Sequence, residues 1–226
     1  MNSFAYQFNF DFVSANAEVL LEGLRITLRL SFSAMVLATL MGILCGIAMT
    51  SRDTVLRCGT TFLTDIIRSV PLLVLLLICY YTFPVLGIHT SAFWPTLIAL
   101  SLDTGAFMGD VIRGAIQGIP KGSIMAAKTL GLSTFRIMQR IILPEVFRNV
   151  LPSVTLLYIG IIKLSSLASV VAVYELTHTG NWIIATTFKP LEVYLVVGGM
   201  YIAIIYPLTI LSKRLESSIY FKRRTI

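Results

Sequence analysis

The chain has 226 residues, of which 56% are hydrophobic and 13% charged, with a mean hydropathy of +0.85 and a formal net charge of +7. Soluble domains carry roughly 25% charged residues, so this composition excludes an ordinary soluble domain and indicates a membrane protein. The apolar runs are long and do not alternate as the strands of a membrane barrel do, which predicts an all-α fold.

Five apolar segments are candidates for membrane-spanning helices, because about 18 apolar residues suffice to cross a hydrocarbon core roughly 30 Å thick. In chain order they cover residues 30–49, 71–86, 94–102 with its continuation, 151–173 and 193–211, and the third is the least hydropathic. No basic segment with a short apolar stretch and a cleavage site precedes them. We therefore expect the first span to remain in the mature chain and residues 1–226 to form one domain.

The charges are distributed unevenly between the connecting segments. Basic residues dominate after the first, third and fifth spans, namely Arg52, Arg57, Arg113, Lys121, Lys128, Arg136, Arg140, Arg148, Lys213, Arg214, Lys222, Arg223 and Arg224. The other segments carry Asp11, Glu18, Glu22, His89, Glu175, His178, Lys189 and Glu192. The positive-inside rule then predicts an external N-terminus and a cytoplasmic C-terminus. Topology accounts for the positive charge, so we expect membrane lipid and no nucleic acid around this chain.

The first two spans contain backbone signals. Gly42 and Gly46 are spaced to let another helix approach closely, although such pairs also arise by chance. Arg68-Ser-Val-Pro71 interrupts the second span, and proline disfavours helix at the preceding residue, which predicts a kink or break. The alternative is that Pro71 marks the interfacial start of a shorter helix. A broken membrane helix is tolerated where it lines a cavity or is buried in protein.

The third and fourth spans carry polar side chains at membrane depth. Asp103, followed by Thr104, is a functional candidate because an intramembrane carboxylate normally faces a cavity or a partner. Asp110 and Arg113 can pair on one helix face, which we interpret as structural. Lys163 is either an ammonium satisfied by local carbonyls and hydroxyls or a contact to cargo.

The hydroxyls of Ser165, Ser166 and Ser169, next to Lys163, can satisfy neighbouring backbone or bind polar cargo. His178 follows on the external side and stands alone. The three cysteines have no metal-ligand spacing, so we expect neither a metal site nor a disulfide framework.

A polar, basic segment of about residues 118–144 separates the third span from the fourth. It contains Ala126-Ala127, then Gly131 after three residues, then Ile141-x-Leu143-Pro144 after nine more. This spacing resembles the EAA loop of ABC importer permeases, the element that docks onto the ATP-hydrolysing subunit. We call residues 118–144 the coupling loop.

The chain is similar over nearly its whole length to permease subunits of the polar amino-acid ABC importers. The motifs that carry the resemblance follow the family's order: Gly23-Leu-x-Ile-Thr-Leu, Arg68-Ser-Val-Pro-Leu-Leu, Thr104-Gly-Ala-Phe, Ile112-Arg-Gly-Ala-Ile, Ile119-Pro-Lys-Gly, the coupling loop, Ser166-Leu-Ala-Ser and Glu175-Leu-Thr. The resemblance implies a type I importer permease fold with five helices, in the inner membrane of a bacterial cell.

The resemblance also implies partners. They are a second permease subunit, identical or different, a pair of ATPase subunits on the cytoplasmic side, an external solute-binding protein and an amino-acid cargo. The family's loop forms a short helix, a turn at the glycine and a second helix. The residues expected to couple to the ATPase are Met125, Ala126, Ala127, Lys128, Leu130, Gly131 and Arg136.

Residue chemistry suits this coupling role. Ala126, Ala127 and Leu130 are expected to form an apolar face that enters a groove of the ATPase. Gly131 can adopt the positive φ of a tight turn. The family usually has glutamate where this chain has Met125, so we hypothesise that a partner permease supplies the acidic residue or that the ATPase surface compensates. Two further departures are Asp103, where many relatives have asparagine, and Leu164-Ser165, where many have an acidic residue and threonine.

The chain contains no Gly-x-x-x-x-Gly-Lys-[Ser/Thr], so we expect no nucleotide site, no cofactor and no enzymatic activity of its own, with ATP used by the partner subunit. A carboxylate and an ammonium near the midplane suit a zwitterionic cargo. The expected pathway residues are Arg68 and Pro71 near the gate and Asp103, Thr104, Lys163, Ser165 and Ser166 around the cargo. The alternative function is an ATP-independent secondary transporter or channel subunit, for which the coupling loop has no evident use.

Overall fold

The computed structural model describes residues 8–223, with side chains as far as Arg214. Within these residues the chain is helical and has no strand, which confirms the predicted fold class. The α-helices are α1 (Phe12–Ala15), α2 (Ala17–Met49), α3 (Thr54–Ser69), α4 (Leu72–Val85), α5 (Phe93–Gln117), α6 (Lys121–Thr129), α7 (Thr134–Ile137), α8 (Leu143–Leu164), α9 (Leu176–Thr187) and α10 (Pro190–Arg223). A π-helical turn (Met138–Ile142) precedes α8 and a 3-10 helix (Ser165–Val171) follows it. The predicted tail charges Lys222, Arg223 and Arg224 lie outside the described side chains.

Three helical stretches are long and apolar enough to cross a membrane: α2, the stretch from Thr134 to Val171, and α10 as far as Arg214. The pair α3 and α4 passes the same test together, although the two axes are bent by 101°. The second predicted span thus extends back to Thr54 through a break. The third predicted span corresponds to α5, which is too polar to be identified by hydropathy, so the number of five spans stays a prediction.

Helix α5 is polar because protein surrounds it. It packs against α2, α3, α4 and α8, and most of its residues are buried. The hydroxyl of Ser101 donates a hydrogen bond to the Leu97 carbonyl oxygen at 2.6 Å, so the polar atom is satisfied inside the helix. A helix in this position need not be hydrophobic toward lipid, which explains its low hydropathy.

A seam of small residues joins α2 to α5. A Cβ on Gly42 would lie 2.6 Å from Cγ of Met108, and one on Gly46 would lie 2.7 Å from Cβ of Ile112. From the opposite side, a Cβ on Gly109 would lie 2.9 Å from Cβ of Cys45. These distances leave no room for a methyl group, so the glycine pair of the first span has the predicted packing role.

Two carboxylates that the sequence analysis assigned to external connecting segments are buried. Glu175 is the N-cap of α9, and its side chain accepts hydrogen bonds from backbone N–H groups of the first turn. Glu192 lies in the first turn of α10 and accepts a hydrogen bond from the Asn9 N–H at 3.5 Å. Helix N-termini attract negative charge, and this attraction offsets the burial of both groups. The sequence analysis gave neither carboxylate this place at a helix start, and their position on the external side stays a prediction.

Candidate functional site

Helix α3 ends at Ser69 and α4 begins at Leu72, with axes bent by 101°, so the helix is interrupted at Pro71. Arg68, in the last turn of α3, forms an ion pair with Asp110 of α5. Its guanidinium also lies over the ring of Phe107, with 4.8 Å between Cζ and the ring centroid. The predicted pair of Asp110 and Arg113 forms at 2.6 Å, so one carboxylate serves two guanidinium groups. This cluster ties the break to α5.

Asp103 precedes Phe107 by four residues and Asp110 by seven, so the three side chains share one face of α5. Because Phe107 and Asp110 contact Arg68, this face is directed toward the break. Asp103 is only 8% exposed, and neighbouring Thr104 is buried as well. Within the described residues the Asp103 carboxylate has neither a hydrogen bond nor an ion pair. A buried carboxylate in this state needs a partner from outside the chain or a proton.

Lys163 lines a different space, a cavity of about 440 Å³ between the end of α8 and α10. Ser166 lines it too, and α10 supplies Tyr201, Ile202, Ile205, Tyr206 and Thr209. We call this space the α8–α10 cavity. Asp103 does not line this space, so the described part of the chain does not bring the two charged groups expected around the cargo into one cavity.

The hydroxyls of Ser165 and Ser166 donate hydrogen bonds to backbone carbonyl oxygens, which is one of the two roles predicted for them. Ser165 is fully buried and donates to the Ile162 carbonyl oxygen at 2.8 Å, so it is not part of the cavity wall. Ser166 donates to the Lys163 carbonyl oxygen at 2.7 Å while its side chain reaches the cavity. Of these two serines, the α8–α10 cavity therefore contains only Ser166.

The tyrosines of α10 escaped the sequence analysis. Tyr201 and Tyr206 were treated as part of an apolar span, yet both line the cavity together with Thr209. The signal was present in the sequence, since hydroxyl-bearing residues at 201, 206 and 209 recur near one helical face. What the sequence lacked was a reason to direct that face toward Lys163.

A buried hydrogen-bond network lies behind Tyr201. The carboxylate of Glu175 accepts from the His178 N–H at 2.7 Å and the Thr177 N–H at 3.0 Å. The same carboxylate accepts from the Tyr201 hydroxyl at 2.9 Å, and the Thr177 hydroxyl lies 3.1 Å from that phenol oxygen. The network joins α9 to the wall of the α8–α10 cavity.

The coupling loop has the expected helix, turn and helix. Helix α6 ends in a Schellman motif, in which the Leu132 N–H donates to the Ala127 carbonyl oxygen at 3.1 Å and the Gly131 N–H donates to that of Lys128 at 3.0 Å. Gly131 has φ +74°, the positive φ predicted for it. Ser133 then caps α7 by accepting from the Arg136 N–H. The turn is thus specified by its own sequence.

The exposed apolar side chains of the coupling loop are Met125, Leu130 and Phe135, which are 71%, 81% and 75% exposed. Ala126, Lys128 and Arg136 are exposed beside them. Ala127 is buried, unlike the prediction, because α6 directs it inward, as α7 does Ile137. The outward apolar face therefore includes Phe135, which the sequence analysis missed, and lacks Ala127.

Known proteins match this chain over most of its length. Residues 38–220 match the family described as binding-protein-dependent transport system inner membrane component. The chain is 34% identical over 199 residues to the probable amino-acid ABC transporter permease protein YckA of Bacillus subtilis (strain 168), covering 88% of each chain. It is 29% identical over 211 residues to the arginine transport system permease protein ArtQ of the same organism, covering 92% of this chain and 96% of that one.

Solved structures share the fold. An amino acid ABC transporter crystallised with histidines matches with a TM-score of 0.87 and 26% identity, covering 94% of this chain and 100% of that one. An inward-facing MetNI methionine ABC transporter matches with a TM-score of 0.75 and 19% identity, covering 91% and 98%, and this likeness concerns the fold alone. The chain therefore belongs to the inner membrane components of binding-protein-dependent transport systems, the permease subunits of bacterial ABC importers.

Proposed function

We propose that this chain forms half of the translocation pathway for an amino acid and receives the energy of ATP through its coupling loop. The names of its relatives, permeases for amino acids and for arginine, support this class of cargo. The observation that carries the proposal is the helix–turn–helix over residues 121–137, which exposes three large apolar side chains beside basic ones. Such a surface suits a groove on another protein.

The coupling contact is made by the exposed part of the loop. Met125, Ala126 and Leu130 insert into the ATPase groove, while Lys128 and Arg136 orient the contact from its rim. Gly131 sets the angle between the two short helices, and buried Ala127 holds α6 in place. Met125 takes the position where the family usually has glutamate, and its flexible thioether packs in the same groove.

The α8–α10 cavity and the Arg68 cluster form two parts of the pathway. Lys163 carries a positive charge with no ion-pair partner among the described residues, and the hydroxyl-bearing residues Ser166, Tyr206 and Thr209 line the same cavity. A cavity with an ammonium and hydroxyl-bearing walls suits the carboxylate end of an amino acid. Asp103 and Thr104 on α5 face the break at Pro71 and contact cargo as it passes the gate held by Arg68.

A second permease subunit, either another copy of this chain or a related one, completes the pathway. Two ATPase subunits close on ATP and push the coupling loops, which rocks the permease pair between inward- and outward-facing packings. An external binding protein delivers the cargo. The chain holds no nucleotide or cofactor itself, since its sequence offers no phosphate-binding loop.

Uptake of labelled amino acids into proteoliposomes tests this function. The chain is reconstituted with the ATPase and binding protein encoded beside it, and each amino acid is supplied on the binding-protein side with ATP on the other. We expect ATP-dependent accumulation of one class of amino acid, lowered at least tenfold by Lys163→Gln. Lys189→Gln, which removes a lysine outside the cavity, should leave uptake unchanged. Accumulation without ATPase or ATP would instead support an ATP-independent carrier.

A further inference from the structure

Glu175 does not line the α8–α10 cavity, but its carboxylate accepts a hydrogen bond from Tyr201, which does. Two of its three hydrogen-bond donors, the N–H groups of Thr177 and His178, belong to the first turn of its own helix. The third donor, the Tyr201 hydroxyl at 2.9 Å, comes from α10, and Tyr201 lines the α8–α10 cavity. The carboxylate itself is fully buried and is not part of the cavity wall.

The network determines where the phenol proton of Tyr201 lies. A phenol has one proton, and an ionised carboxylate only accepts, so Tyr201 donates to Glu175. Burial raises the pKa of the Glu175 carboxyl, whereas the two backbone N–H donors, the Tyr201 hydroxyl and the positive end of α9 oppose this shift and favour the ionised form in which the carboxylate only accepts. The Thr177 hydroxyl, 3.1 Å from the phenol oxygen, must then donate its proton to Tyr201. Tyr201 therefore has no proton left to donate to a molecule in the cavity.

We propose that Glu175 is a positioning residue, which fixes the Tyr201 side chain in the cavity wall and keeps its proton out of the cavity. This inference rests on the proposed function, because it assigns the α8–α10 cavity to the amino-acid cargo. The cargo then meets a ring face and an acceptor oxygen at Tyr201, both of which suit an ammonium group, while Lys163 offers the donor for a carboxylate.

Three substitutions separate this role from helix capping. Tyr201→Phe removes the hydroxyl and keeps the ring. Glu175→Gln removes the charge at nearly the same size. Glu175→Asp keeps the charge and caps a helix well, but it is one methylene shorter and cannot reach the phenol. Glu192→Gln is the matched control, since Glu192 is a second buried carboxylate at a helix start and does not line the cavity.

The test is direct binding of the transported amino acid, in labelled form, to the permease–ATPase complex in nanodiscs without the binding protein. We expect Tyr201→Phe, Glu175→Gln and Glu175→Asp each to raise the Kd roughly tenfold, the loss expected for one hydrogen bond to a charged group. The double variant Glu175→Gln with Tyr201→Phe should be no weaker than either single variant, because both remove the same interaction. Glu192→Gln should lower the Tm and leave the Kd unchanged.

Three results would overturn the inference. Glu175→Asp with wild-type affinity would reduce Glu175 to a helix cap. Additive effects in the double variant would mean that Glu175 and Tyr201 act separately. A wild-type complex that transports an amino acid but does not bind it, or binds it equally well without Tyr201, would remove the cargo from this cavity while leaving the proposed function intact. Absence of ATP-dependent uptake by the wild type would instead refute the proposed function.

Discussion

Replacing Gly131 tests the geometry of the coupling loop without disturbing its packing. A Cβ at this position meets nothing within 4 Å, so an alanine encounters no neighbouring atom. The backbone, however, has φ +74°, a conformation that side chains with a Cβ rarely adopt. Any effect of Gly131→Ala therefore measures the backbone turn alone. Gly122, which also has open space but lies within helix α6, provides the matched control.

The expected magnitude follows from the left-handed conformation. A residue with a Cβ pays about 1–2 kcal/mol there, so alanine lowers the population of the observed turn by a factor of about 5 to 30. Asparagine tolerates the same conformation better, because its side chain can hydrogen-bond locally. At Gly122 the sign reverses, since alanine is favoured over glycine by about 1 kcal/mol inside a helix. The ranking at position 131 should be glycine, then asparagine, then alanine.

Titration of the ATPase subunit against the chain in nanodiscs measures this effect. We expect Gly131→Ala to raise the Kd about 5- to 30-fold, Gly131→Asn to raise it much less, and Gly122→Ala to leave it unchanged or lower it. Two results would refute the reasoning: wild-type affinity of Gly131→Ala, or equal weakening by Gly122→Ala, which would make general loop flexibility the cause.

Two further predictions concern stability, measured as thermal unfolding of the purified chain. Gly46→Ala should destabilise the fold by about 1–3 kcal/mol, because its Cβ would lie 2.7 Å from side-chain atoms of α5. Its control, Gly59→Ala on the exposed side of α3, should be neutral or stabilising. Similar results for both variants would argue against the seam of small residues between α2 and α5. Asp110→Asn should lower the free energy of unfolding by about 2 kcal/mol, because it removes the charged partner of Arg68. Asp65→Asn should lower it by less than about 1 kcal/mol, since that carboxylate is 60% exposed and lies 3.8 Å from the guanidinium of Arg68. Equal losses at the two aspartates would show that Arg68 does not depend on Asp110.

Features with a local cause could be predicted from the sequence. The break at Pro71 follows from the missing donor of proline, and the turn at Gly131 from the freedom of glycine. The pair of Asp110 and Arg113 follows from helical spacing. The close approach at Gly42 was predicted only as a possibility, because the identity of the opposing helix is not encoded in the spacing.

Features with a distant cause could not be predicted. Glu175 is buried because its partner Tyr201 follows 26 residues later on another helix. Asp103 and Lys163 lie on adjacent packed helices but face different spaces, a consequence of how α5 and α8 are rotated. Ala127 is buried whereas Ala126 is exposed, and a sequence of two adjacent alanines does not specify which of them faces inward.

The measurement that tests the central claim most directly is the affinity of the ATPase subunit for this chain in nanodiscs after Leu130→Asp. Leu130 is 81% exposed on the coupling loop, and Val85, 84% exposed at the end of α4, provides the matched control. If the coupling loop inserts its apolar face into the ATPase, Leu130→Asp abolishes the association, because a buried unpaired carboxylate costs several kcal/mol, and Val85→Asp leaves it intact. Association that survives Leu130→Asp at wild-type affinity would contradict the account.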